Sequence, residues 1–124
     1  MPKVDIESVR RTNRTGYPPP YDKDVAGRWY RRIGKASGLT EIGVSHVVLE
    51  PGAWSAQRHW HEGLDEFVVI LEGEAVLVED DAETVLRAGD CAVAEVPDDE
   101  PARDVGLVDE AVVPVGRPVA AELD

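Results

Sequence analysis

Between Arg28 and Val96 the chain runs in short stretches of period two, and Gly, Pro or Asp cuts each one off after a few residues. Residues i and i+2 of a strand face the same side, so this rhythm fits pleated strands and leaves little room for a helix. The stretches Arg28–Ile33, Ile42–Leu49, Ser55–His61, Glu66–Leu71, Ala75–Glu79, Glu83–Leu86 and Cys91–Val96 read as strands. Pro51-Gly52, Glu62 to Asp65, Glu72-Gly73, Asp80-Asp81 and Ala88-Gly89-Asp90 read as the turns between them. Short strands at near-regular spacing predict an all-β sandwich or barrel. Residues 1–27 carry Gly16, Pro18, Pro19, Pro20 and Gly27, which break regular structure. They read as an extended N-terminal arm with a rigid corner at Tyr17-Pro-Pro-Pro-Tyr21, ahead of one barrel domain over 28–124. Patterning fades after Glu95 and returns only at Val105–Val108 and Val112–Val115.

With 124 residues there is material for one core. The 25 acidic and 13 basic residues leave a net charge of −12, which argues against nucleic acid or an anionic membrane as partner. Cys91 is the single cysteine, so neither a disulfide framework nor a cysteine-rich zinc site is expected. No apolar run approaches the roughly 20 residues of a membrane helix, and Met1 to Glu7 lacks the apolar core of a leader. The expectation is a cytoplasmic protein whose partner is a small molecule.

The chemistry concentrates in one string, in which Gly52, His59, His61, Glu66 and Gly73 lie within β-type sequence. His59 and His61 share a strand face, about 6.6 Å apart along it. A twist or bend can bring both imidazoles onto one ion. Glu66 shares its strand face with Val68 and Ile70. A carboxylate on an apolar face costs several kcal/mol, of order 2–7, unless it meets a cation or a donor. Two imidazoles and a carboxylate are ligands for a divalent transition metal such as iron, manganese, nickel or zinc. The competing reading is a solvated His-Trp-His strand end, with Glu66 paired to Arg58 or Arg87.

Residues 51–73, from Pro51-Gly-Ala-Trp to Ile70-Leu-Glu-Gly73, resemble the first conserved motif of the cupin superfamily. Residues 38–49 and the arm from Thr15 to Tyr21 resemble the lead-in of small bacterial single-domain cupins, and Leu86 to Cys91 resembles the opening of the second motif. The resemblance implies a double-stranded β-helix, or jelly-roll barrel, with His59, His61 and Glu66 as metal ligands in its mouth. The usual fourth ligand is a histidine of the second motif, and here Glu100 falls at that position. No histidine follows His61. Three arrangements are open: a three-ligand centre with open positions, a centre in which Glu100 or another nearby carboxylate replaces the histidine, and a site that has lost its metal.

Other residues carry weaker expectations. His46 lies on a strand with Ile42, Val44 and Val48 and reads as a core or edge histidine. Gln57 shares the face of His59 and His61, either touching a ligand in the mouth or standing in solvent. Trp54 and Trp60 lie on the opposite face and suit packing or a subunit contact. Cys91 reads as a small buried hydrophobe. Phe67 to Leu71 is apolar on both faces, of which one barrel buries only one. The other predicts cover by the arm or by a second subunit in a homodimer. The resemblance implies a metal-dependent enzyme of isomerase or dioxygenase type with no substrate named. The alternative is a non-catalytic binding or sensing module, with or without metal, and a third possibility is a barrel that serves only to dimerise.

Overall fold

The computed structural model describes residues 1–57, 66–79, 82–94, 109–111 and 119–123. The strands are β1 (Arg28–Arg31), β2 (Val44–Leu49), β3 (Glu66–Glu72), β4 (Glu74–Val78), β5 (Glu83–Arg87), β6 (Cys91–Ala94), β7 (Asp109–Ala111) and β8 (Val119–Leu123). One helical turn, α1 (Ile33–Ala36), separates β1 from β2. The all-β expectation holds. A five-stranded sheet has the order β1-β2-β8-β3-β6, and a three-stranded sheet has the order β5-β4-β7. Every pairing within them is antiparallel.

The core lies between the two sheets. Tyr30, Val47, Leu49, Val68 and Ile70 come from the larger sheet, while Ala75 and Leu86 come from the smaller. Leu77 and Ala92 pack against this cluster. Alternation explains the set: Val47 and Leu49 on β2, and Val68 and Ile70 on β3, are i and i+2 pairs. Val47 and Ile70 keep only 2% and 3% of their surface exposed. Burying each such side chain contributes about 1.5–3 kcal/mol.

The arm docks along the free edge of β1. Thr12 and Tyr30 exchange both backbone hydrogen bonds, at 3.1 and 2.9 Å. Arg31 reaches back to the Val9 carbonyl (Nε to O, 3.0 Å) and pairs with Glu7 at 3.0 Å. Tyr30 Oη donates to the Arg14 carbonyl at 2.8 Å. An edge strand is a template for unwanted pairing, and the arm occupies part of this one. On the outer face of β3, by contrast, Leu71 is 51% exposed, and Val93 on neighbouring β6 is 58% exposed.

Four sequence expectations change. The strand expected over Arg28–Ile33 ends at Arg31, because Ile33 opens α1 and Ser37 closes it with an N–H bond to the Ile33 carbonyl at 2.9 Å. Gly34 permits the turn: a Cβ there would meet the Val44 backbone nitrogen at 2.8 Å. Ser55 and Ala56 form a bend, so no strand begins at Ser55. Cys91 is exposed, not buried. It opens β6 opposite Val69, and alternation turns Ala92 to the core while Cys91 and Val93 face outward. Val119–Leu123 was not expected as a strand at all, yet β8 lies between β2 and β3. Ala120, Ala121 and Glu122 are weak strand formers, and pairing on both edges overrides that local preference. The expected stretches Val105–Val108 and Val112–Val115 lie outside the described residues.

Candidate metal centre

The segment leading to the histidine pair is set by a tight turn. Pro51 and Gly52 form its centre, Ala53 N–H closes it onto the Glu50 carbonyl at 2.9 Å, and Gly52 has φ +80°. Proline presets the first central position and glycine tolerates the positive φ of the second, the signature of a type II turn. The N-terminal arm then grips the residues after the turn. Trp54 N–H donates to the Asp24 carbonyl at 2.8 Å. Gln57 N–H donates to Tyr17 Oη at 3.3 Å, and Gln57 Nε2 donates to the Tyr21 carbonyl at 2.8 Å and to Asp24 Oδ2 at 3.0 Å. The amide of Gln57 therefore ties the arm to the chain immediately before the histidines.

Glu66 is the first residue of β3 and is half-buried. Its backbone lies opposite Ala94 of β6. Alternation puts its side chain on the inner face, in line with the buried Val68 and Ile70. Of the two arginines considered as its partner, Arg87 ion-pairs with Glu74 at 3.5 Å, and Arg58 lies outside the described residues. His59, His61 and Glu100 also lie outside them. Among the described residues no group of three His, Cys, Asp or Glu side chains could hold a metal ion. The donor set of the sequence, two imidazoles and an inward carboxylate, suits a divalent transition metal.

Sheet register places Glu66 relative to the rest of the inner face. Ser45 of β2 and Val68 of β3 both lie opposite Glu122 of β8, so they are level with each other. Because β2 and β3 each run antiparallel to β8, they run parallel to each other. Glu66 and Gly43 are each two residues before the level pair, at the same end of the sheet. With strands about 4.8 Å apart and about 3.3 Å per residue, the Cα atoms of Glu66 and Ser45 are roughly 12 Å apart.

His46 faces the other way. It lies opposite Arg31 and Ala121, is half-buried, and its Nδ1 makes no hydrogen bond among the described residues. Burial lowers its pKa from the ordinary value of 6.5; the Arg31 charge lowers it further and Glu7 opposes the shift. The expected core or edge position does not hold: His46 lies on the outer face of β2, opposite in parity to the buried Val47 and Leu49, and β2 is flanked by β1 and β8. One cluster escaped the sequence reading: Arg28, Tyr30, Arg32, Lys35 and Ser45 line one cavity between β1, α1 and β2. The signal was the alternation Arg28-x-Tyr30-x-Arg32, which sets two arginines on the face of a core tyrosine.

Two facing antiparallel sheets closed over one apolar core, with an inward carboxylate at one end, define a small jelly-roll protein. The family "Cupin domain" matches residues 45–96. A crystal structure of a sugar phosphate isomerase from a cupin superfamily, from Silicibacter pomeroyi, aligns with 98% of this chain and 73% of that one, at 36% identity and a TM-score of 0.84. The chain thus belongs to the cupin superfamily. Two more distant structures share the fold. The polyketide cyclase RemF from Streptomyces resistomycificus has 16% identity, a TM-score of 0.70 and coverage of 99% of this chain and 77% of that one. An RmlC-like cupin from Shewanella frigidimarina has 19% identity, a TM-score of 0.62 and coverage of 97% and 86%. No curated protein matches the sequence. No helix among the described residues is long and apolar enough to cross a membrane. The family membership and the 36% identical relative support an enzyme-like role of the cupin type.

Proposed function

We propose that this cupin is a metal-dependent enzyme acting on a small polar molecule, an isomerase of sugar-type substrates, with His59, His61 and Glu66 as its metal ligands. The observation that carries the reading is Glu66 itself. A half-buried carboxylate opens β3 on the apolar inner face, and the His-x-His pair precedes it by a few residues. The isomerase class follows the 36% identical relative, which is described as a sugar phosphate isomerase. A divalent ion held there would act as a Lewis acid on a carbonyl oxygen, the polarisation an aldose–ketose interconversion requires. The apolar row of Val68 and Ile70 behind Glu66 would close the floor of the site to water.

A second reading keeps its place because no histidine follows His61 to act as a fourth ligand. It is a binding or sensing module without turnover. Elemental analysis of tag-free protein beside a His59→Ala/His61→Ala variant separates these readings, together with a screen of sugars and sugar phosphates for interconversion by NMR. About one equivalent of metal, lost in the variant, with metal-requiring turnover supports the enzyme. Metal-independent ligand binding without turnover supports the module. No metal after reconstitution sinks the metal-centre assignment. The apolar outer face of β3 and β6, where Leu71 and Val93 lie open, supports a homodimer through that face. A monomeric mass by light scattering at micromolar concentration would count against it.

A further inference from the structure

The chain that leads into the histidine pair is laid down antiparallel to the N-terminal arm. Glu50 N–H donates to the Gly27 carbonyl at 2.9 Å and Trp54 N–H to the Asp24 carbonyl at 2.8 Å, and Gln57 then meets Tyr21 and Tyr17. As residue numbers rise from 50 to 57 on one side, they fall from 27 to 17 on the other. Side chains close the seam. Val25, Ala53 and Ser55 keep only 2%, 7% and 5% of their surface exposed, and a Cβ on Gly27 would come within 2.7 Å of the Ala53 Cβ. Gln57 ends the described part of this run, and His59 and His61 follow two and four residues later. Its amide nitrogen donates to the Tyr21 carbonyl at 2.8 Å and to Asp24 Oδ2 at 3.0 Å. Both partners are acceptors, which fixes the nitrogen end of the amide toward the arm, one hydrogen for each. Two peptide units span at most about 7 Å, so an anchor at Gln57 limits where His59 can lie.

We propose that Gln57 is a positioning residue of the metal centre: its anchor on the arm orders the chain that carries His59 and His61, so that arm docking and metal binding strengthen each other. Ordering the backbone of a ligand-bearing residue costs conformational entropy. A metal that finds its ligands already held need not offset that cost, and it binds more tightly. Gln57 acts here through the backbone and not as a ligand. The coupling is reciprocal by linkage: whatever factor the docked arm adds to metal affinity, bound metal adds to docking. The Tyr17-Pro-Pro-Pro-Tyr21 corner thereby acquires a role. None of its residues belongs to the core between the sheets, so its docking can change without unpacking the barrel. The inference rests on the reading of His59, His61 and Glu66 as metal ligands and adds to it the residue that holds two of them in place.

The test titrates metal-stripped protein with cobalt(II), whose visible absorption reports both affinity and ligand geometry. The proteins are the wild type, Gln57→Ala, Asp24→Ala and His59→Ala/His61→Ala. Backbone hydrogen exchange, read by mass spectrometry, follows residues 15–27 of the arm with and without cobalt. Gln57→Ala should weaken cobalt binding about ten- to a hundredfold, the usual effect of removing a group that orients metal ligands. Cobalt should slow exchange in the arm of the wild type, but not in Gln57→Ala or in the histidine variant. Asp24→Ala removes one of the two acceptors and leaves the backbone bond to Trp54, so it should weaken binding by less. A merely structural contact would lower the Tm of metal-free Gln57→Ala and leave its cobalt affinity and spectrum unchanged, which would overturn the proposal. Arm exchange in the wild type that ignores cobalt would overturn it as well. Should Gln57→Ala fail to fold, Asp24→Ala decides, and an affinity equal to that of the wild type sinks the proposal. Equal cobalt affinity in the wild type and a folded Gln57→Ala removes this inference alone. A wild type that binds no cobalt removes the metal-centre reading and this inference with it.

Discussion

Replacing Gly34 by alanine sets two effects of known size against each other. Alanine is favoured over glycine inside a helix by about 0.8–1 kcal/mol, so propensity alone would make Gly34→Ala stabilising. The single turn of α1, Ile33–Ala36, can realise only part of that gain. Against it stands the close approach of α1 to β2. A Cβ at Gly34 would lie 2.8 Å from the backbone nitrogen of Val44 and 3.4 Å from its Cβ and carbonyl oxygen. Backbone cannot rotate aside as a side chain can, so the turn must lift off the strand, and overpacking of this kind costs about 1–3 kcal/mol. The net expectation is a loss of about 1–2 kcal/mol. At about 2.1 cal/mol/K per residue, the unfolding entropy of this chain corresponds to a fall in Tm of roughly 4–8 °C. Thermal and urea unfolding tracked by circular dichroism measure it, with Gly16→Ala as the control. A Cβ at Gly16 meets nothing within 4 Å, so that variant should match or slightly exceed the wild type. A Gly34→Ala protein as stable as the wild type would refute the argument, because the contact that holds α1 against β2 would then carry no cost.

Three further outcomes concern particular groups. Tyr30→Phe keeps the ring under Arg28 and Arg32 but removes the 2.8 Å bond to the Arg14 carbonyl, and should cost about 1 kcal/mol in urea unfolding; no change would mean that the arm is not held there. His46 has its pKa lowered by burial first and by Arg31 second, so the unfolded chain takes up a proton before the folded one does. Stability should therefore be greatest above its ordinary value of 6.5 and fall as pH drops below that value toward the lower folded one. His46→Gln should flatten that decline, and an identical pH profile would remove His46 as its source. Under the metal proposal, chelation should lower Tm by mass action, about 2.7 kcal/mol of stabilisation being lost when free metal had stood at a hundred times its Kd. An unchanged Tm on chelation, in protein shown to contain metal, would mean that folding and metal binding are uncoupled.

How far the sequence could be read depended on the range of the interactions involved. Pro51-Gly52 was legible as a turn because the fixed φ of proline and the positive φ of glycine act within two residues, and the structure has Gly52 at φ +80°. Glu66 was legible as an inward carboxylate because period two ties it to Val68 and Ile70. Cys91 was misread because an apolar strand offers two faces, and only packing against the second sheet chose Ala92 for the core. The bond from Gln57 to Tyr21 joins residues far apart in sequence, and nothing local foretells it.

The sequence by itself determined the β class, the turns at Pro51-Gly52 and Ala88-Gly89 and the residue types of the candidate centre, since alternation, turn chemistry and side-chain identity are properties of neighbouring residues. Tertiary structure alone decided that Val119–Leu123 lies between β2 and β3, that the arm runs along β1, and that Arg28, Arg32 and Lys35 meet around one cavity. Each of these arrangements depends on contacts between distant segments. Their chain-closure entropy and packing energy are set by the whole fold and by no local stretch of it.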